Sequence, residues 1–203
     1  MIITISREYG AAGRAVTRGL AERLGYRLLD EDLPVVVAAR MGTSPDVVEG
    51  IEYRQPGFGQ RLLRSLGAAI PESFQPTPVV DDLNARTQRE IDRLIGEAAD
   101  AGDVVVVGRL GNMVLQGRPN VLRVFLTAPL AWRVAQIVEA LGSTEAAARA
   151  EIARVDGGRR HYAREQRDFE WSDPHYYDLV LDVSRFGVDG AIALIDAARG
   201  QRG

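Results

Sequence analysis

Lysine is absent from this chain: all 25 of its basic residues are arginine. Lysine Schiff-base chemistry and a lysine-headed phosphate loop are thereby excluded, whereas planar, bidentate clamps on carboxylate or phosphate stay open. Cysteine is absent too, which rules out disulfides, thiol nucleophiles and thiolate metal sites. The two histidines, His161 and His175, are too few for a histidine-based metal centre, and no metal-ligating residue is assigned. No window reaches the roughly 18 consecutive apolar residues of a membrane span. The opening Met-Ile-Ile-Thr-Ile-Ser reads as a strand, not as a basic-then-apolar leader, so a cytoplasmic location without a membrane partner is expected. A basic surplus is also missing. The formal net charge is -3, which argues against a nucleic-acid backbone as the main partner.

What is present is an ordinary globular composition, 46% hydrophobic and 26% charged over 203 residues, the size of one domain with a substantial core. Ile2 to Ile5 is a short β-branched run, followed by a Gly10-Ala11-Ala12-Gly13 turn. From Arg14 to Leu24, Val16, Leu20, Ala21 and Leu24 share one helical face, and Gly25 supplies the stop. Four consecutive valines, Val104 to Val107, and the run Val121 to Leu126 read as strands buried on both faces. Tyr26 to Leu29 and Leu179 to Val183 complete a set of five strands. Helices are predicted over 33–41, 83–101, 129–141, 144–155 (with Ser143 as N-cap, and an Arg-rich continuation to 168) and 188–198. The stretch 53–80 is broken by Pro56, Gly57, Gly59, Pro71, Pro76 and Pro78 and reads as an irregular insertion, with a short helix over 61–69. Strands alternating with helices predict an α/β fold with a five-stranded, mainly parallel sheet.

The chemistry begins at the first turn. A strand that passes through glycines into a helix start aims backbone N–H groups and the positive helix end at one point, where a phosphate binds. The P-loop pattern is G-x-x-x-x-G-K-[ST]; here Glu8, Arg14 and Ala15 stand where the first glycine, the lysine and the hydroxyl residue are required, and only Gly13 matches. This segment alone leaves a phosphate-binding loop and a plain strand-to-helix turn both open.

Five segments, in order, carry a resemblance. They are Ser6-Arg7-Glu8-Tyr9-Gly10-Ala11-Ala12-Gly13-Arg14, Val104 to Val107 followed by Gly108-Arg109, Val124-Phe125-Leu126-Thr127-Ala128-Pro129, Asp156-Gly157-Gly158-Arg159 with Tyr162, and Trp171-Ser172-Asp173-Pro174 followed by Tyr177-Asp178-Leu179-Val180. Together they resemble the cytidylate-kinase-like family, in which Arg takes the place of the P-loop lysine. The resemblance implies a single P-loop domain over 1–203, a three-layer fold like that of nucleoside monophosphate kinases. It also implies an acceptor-binding insertion at about 31–100 and a helical lid at about 142–170.

The same resemblance implies ATP-dependent transfer to CMP or dCMP, with ATP and Mg²⁺ as the nucleotide and metal, and small nucleotides as the partners. Arg7, Gly10, Ala12, Gly13, Arg14 and Ala15 would meet the ATP phosphates, with Arg14, Arg159 and Arg160 acting on the transferred group. Asp30, Arg109, Asp156 and Arg159 would hold the acceptor, a carboxylate and an Arg together matching the cytosine edge. Other readings stand beside these. Asp30 also suits an N-cap for the helix at Leu33, and Arg159, Arg160 and Arg164 also suit a solvated helix face paired with Glu165 or Asp168. The chain departs from the family pattern at Ala15, at Glu31-Asp32, at Gln136-Ile137 after Arg133, and at Leu110 after Gly-Arg; Thr17 is a candidate for the missing hydroxyl. Three functions follow: a CMP/dCMP kinase, a kinase of the same fold with another acceptor, or a non-catalytic nucleotide-binding module.

Overall fold

The computed structural model describes residues 1–30, 33–46, 48 and 78–201; the insertion read over 53–80 lies largely, and its short helix wholly, outside these residues. Five strands form one sheet: β1 (Ile2–Arg7), β2 (Arg27–Leu29), β3 (Val104–Val107), β4 (Val121–Thr127) and β5 (Leu179–Asp182). Their order is β2-β3-β1-β4-β5, and every neighbouring pair is parallel. The first strand of the chain is therefore the middle of the sheet, with Ile2 opposite both Val104 and Val121.

Alternation of side chains along these strands creates two cores. On one face Ile3, Ile5, Val105, Val107, Val124 and Leu126 pack with α1 (Gly13–Leu24) and α7 (Val183–Gly200, kinked at Gly187). On the other face Ile2, Val104, Val106 and Val121 pack with α2 (Leu33–Met41) and α3 (Pro78–Asp100). This is why the central strands read as unbroken apolar runs. Toward the far edge the second face turns aromatic, where Phe125, Tyr162, Phe169, Trp171 and Tyr177 form a cluster. Phe125 meets Trp171 edge-on at 5.1 Å, a favoured geometry for paired rings.

The remaining helices are α4 (Gly111–Val114), α5 (Leu130–Leu141) and α6 (Glu145–Arg167). The two predicted segments 144–155 and 156–168 are one helix, and its cap is Thr144, not Ser143. Thr144 accepts the Ala147 N–H at 3.2 Å, an N-cap bond one residue further along than predicted. Helix α3 also starts earlier than predicted, at Pro78, where proline suits a first turn. No helix among the described residues is long and apolar enough to cross a membrane.

Candidate active site

The carboxyl ends of β1 and β3 open onto a cleft, as expected for ligand sites in parallel α/β sheets. Ser6 and Arg7 line it from β1, Gly108, Arg109 and Leu110 from the end of β3, and Arg159 and Tyr162 from α6. Trp171 completes the lining, with the Arg159 guanidinium 5.9 Å from its ring centre. Three arginines thus converge on one space. Gly108, Arg109 and Leu110 have φ of 70°, 49° and 56°. Three successive left-handed residues, two of them with a Cβ, are costly backbone and mark a place where the chain is bent for a purpose. The bend turns Arg109 back so that its Nη1 donates to the Asp30 carbonyl at 2.8 Å.

Asp30 ties the site together differently from either sequence expectation. Its carboxylate pairs with Arg7 at 3.4 Å, and its carbonyl, not its side chain, accepts the Leu33 N–H. Arg7 in turn runs across the start of α1. A Cβ on Gly13 would stand 2.6 Å from Arg7 Cδ, so only glycine leaves room for this side chain.

Beside the cleft, Gly10 and Ala12 turn the chain through left-handed conformations into α1. The first amides of a helix have no intrahelical acceptor, and no side chain caps this one. Arg14 and Ala15 lie exposed at that start. The turn therefore has the geometry of an anion site. Magnesium, which the family resemblance implies, finds no side-chain ligand at the hydroxyl position: Ala15 has no side-chain oxygen, and the Thr17 hydroxyl is fully buried, donating to the Arg14 carbonyl at 3.1 Å. Thr17, fully buried, thus does not substitute for the missing hydroxyl. Among the described residues no cluster of three His, Asp or Glu suits a metal ion.

A second polar cluster lies behind the turn. Asp156 is 3% exposed and accepts the Tyr9 N–H at 2.8 Å and Arg133 Nη1 at 2.7 Å. Arg133 also donates to the carbonyls of Tyr9 and Ala128 and reaches Glu8 at 3.4 Å. Glu8 accepts from Thr127 Oγ1 at 2.6 Å. Arg159 donates to the Arg7 carbonyl at 2.7 Å and lies 3.5 Å from Asp156. Burial pushes the Asp156 carboxyl above the usual carboxylate range, against the Tyr9 N–H and the Arg159 and Arg133 guanidiniums that pull it down.

The structure therefore brings Arg7, Asp30, Arg109 and Arg159 together. It places Asp156 behind the turn with its oxygens engaged, and not among the residues lining the cleft. Arg160, next to Arg159 on α6, is half-buried and is not among the lining residues. Sequence reasoning missed the bracket of Glu8, Thr127 and Arg133. Its one legible signal was Arg133, a charge on the otherwise apolar buried face of its helix. Tyr162 and Trp171 pack in the aromatic cluster and also line the cleft.

Fold and site define an α/β protein with a five-stranded parallel sheet and an arginine-lined cleft at the carboxyl edge of that sheet. The fold is shared with an uncharacterized protein from Eubacterium ventriosum, at a TM-score of 0.68, 19% identity and 98% coverage of both chains. The shikimate kinase of Bacteroides thetaiotaomicron shares it at a TM-score of 0.53 and 12% identity, with 98% of this chain and 97% of that one covered. The sequence is more specific. Residues 2–185 match the model of the cytidylate kinase-like family, and the chain belongs to that family. Cytidylate kinase of Pyrococcus furiosus is 26% identical over 198 residues, covering 98% of this chain and 88% of that protein. Cytidylate kinase of Methanopyrus kandleri is 33% identical over 149 residues, covering 70% of this chain and 77% of that protein. The protein is thus a kinase-like transferase.

Proposed function

We propose that this protein transfers the γ-phosphoryl group of ATP to CMP or dCMP. The observation that carries the reading is the convergence of Arg7, Arg109 and Arg159 on one cleft beside an uncapped helix start. Phosphoryl transfer asks little covalent chemistry of a protein; it asks for fixed positive charge around the migrating group and for exclusion of water. In this reading the amides that open α1, with Gly10, Ala12, Gly13, Arg14 and Ala15, hold the ATP phosphates. Arg109 and Arg159 hold the acceptor, with Asp30 fixing Arg109 and Arg7 from behind. Residues 31–100 form the acceptor side. Residues 142–170, built on α6, form the lid that brings Arg159 and Arg160 to the phosphates. Asp156 acts as a positioning residue, since it grips the turn through Tyr9 and Arg133. ATP and nucleotides are small soluble partners, which accords with a cytoplasmic protein.

The engagement of Asp156 within the protein favours a second reading, a kinase of the same fold with another acceptor, because it removes one expected reader of cytosine. ADP release with ATP, Mg²⁺ and a panel of CMP, dCMP, UMP and AMP tests both. CMP and dCMP are expected to be turned over in preference to UMP and AMP. Arg109→Ala should raise the acceptor KM by about thirtyfold or more, the cost of one buried charge-assisted contact. Turnover of none of the four would leave the other-acceptor kinase or the non-catalytic nucleotide-binding module.

A further inference from the structure

Helix α3 carries one buried stripe at helical spacing, and the stripe changes character along its length. Ile91, Ile95 and Ala98 sink into the second core. One and two turns earlier, positions just as buried are polar: Asn84 is 4% exposed, Thr87 0% and Gln88 7%. A buried polar group without a partner is costly, so a polar stripe in a core position asks for a reason. Position supplies one. A short turn joins α3 to β3, so α3 runs antiparallel to the strand and its earlier half stands at the carboxyl edge of the sheet, where the cleft opens. Gln88 is linked to the cleft directly, because its carbonyl accepts the hydroxyl of the cleft-lining Tyr162.

The two amides differ in a useful way. Among the described residues, neither polar atom of the Asn84 side chain has a hydrogen-bond partner. Gln88 is fixed in one orientation: its Nε2 donates to Asp92 Oδ1 at 2.7 Å. An ionised carboxylate only accepts, so the amide cannot turn over without losing that bond. The Gln88 carbonyl oxygen is thereby held toward Tyr162. It has two lone pairs and Tyr162 uses one.

We propose that Asn84 and the Asp92-oriented Gln88 read the base of the acceptor, selecting a ring that carries an exocyclic amino group over one that carries a carbonyl at the same place. This rests on the acceptor reading above and supplies the base contact that Asp156, engaged elsewhere, does not. A fixed carbonyl oxygen receives the N–H of an amino group and opposes a second carbonyl, which separates cytosine from uracil. Asn84, one turn away, serves the neighbouring ring positions. Asp92 touches no ligand and is a positioning residue.

The experiment compares wild type with Asn84→Ala, Gln88→Leu and Asp92→Asn. It measures kcat/KM for CMP and UMP, calorimetric Kd for both, and the melting temperature. Gln88→Leu and Asn84→Ala should each lower the preference for CMP over UMP about tenfold, the worth of one hydrogen bond at the upper end of its range. Asp92→Asn lets the Gln88 amide turn over, and should lower the preference while the variant still binds nucleotide. A stripe that serves folding alone would lower the melting temperature and slow both acceptors equally. Should wild type phosphorylate CMP while all three variants keep its CMP-to-UMP ratio, this proposal is overturned and the kinase reading stands. If wild type binds nucleotides without turnover, the ratio of Kd values decides in the same way. If it binds neither, both readings fall together.

Discussion

Arg133→Met should destabilise the protein severely, for a reason visible in its surroundings. Arg133 is 7% exposed and Asp156 3%, and they pair at 2.7 Å. Removing one member of a buried ion pair leaves the other charge poorly compensated, at a cost of up to about 3–5 kcal/mol, with Arg159 at 3.5 Å and the Tyr9 N–H still facing Asp156. For a chain of this size each kcal/mol moves the melting temperature by roughly 2–4 °C, so a fall of roughly 6–20 °C is expected. The loss should also depend on pH. Asp156 titrates above its ordinary range because it is buried. Between the unfolded and the raised folded value the native state binds more protons than the unfolded one, so this group's contribution falls as pH rises through that window and returns as pH falls. Without Arg133 the carboxyl rises further and the window widens upward. Urea denaturation of wild type, Arg133→Met, Asp156→Asn and the double variant, at neutral and mildly acidic pH, measures both effects. The pair should couple by about 2 kcal/mol, the double variant being more stable than the sum of the single losses allows. Strict additivity, or a loss of the same size at both pH values, would refute the idea that a stranded Asp156 charge is the cause.

Two further outcomes test the turn itself. Arg14→Ala should weaken ATP binding about tenfold or more by calorimetry, since a charge-assisted contact to phosphate is lost; equal affinity would remove Arg14 from the phosphate site. Gly13→Ala should cost about 1–3 kcal/mol in denaturant, because the new methyl group would meet Arg7 Cδ at 2.6 Å and push Arg7 away from Asp30; an unchanged midpoint would mean that Arg7 moves aside freely.

The sheet was legible in the sequence because its central strands are covered on both sides, and such strands are written as plain apolar runs like Val104 to Val107. Helix α6 was harder. The Arg-rich segment to 168 reads as a continuation of the helix, and the helix does run through Gly157-Gly158, although each glycine costs up to about 1 kcal/mol against alanine in a helix. Ile152, Val155 and Asp156 before the pair, and Tyr162 and Ala163 after it, are buried and hold it in register. The individual arginines near the cleft were legible from their place beside strand ends and glycines. Their mutual arrangement was not, because Asp30 and Arg109 are brought together by contact across 79 residues of chain. The one local signal, a charge on the buried face of α5, does not say that Arg133 meets Glu8 and Asp156.

The place of β1 in the middle of the sheet has a consequence for the newborn chain. The strand leaves the ribosome before the other four, but Ile2 finds one neighbour at Val104 and the other at Val121. At about 5–20 residues per second, the strand waits roughly 6–24 s for both partners. Throughout that time Ile2, Ile3 and Ile5, all buried in the finished protein, have no sheet to join. Collapse onto α1 is a local shelter, since Val16 and Leu20 share a core with Ile3 and Ile5. During synthesis these three residues are therefore without the strands that cover them in the finished sheet.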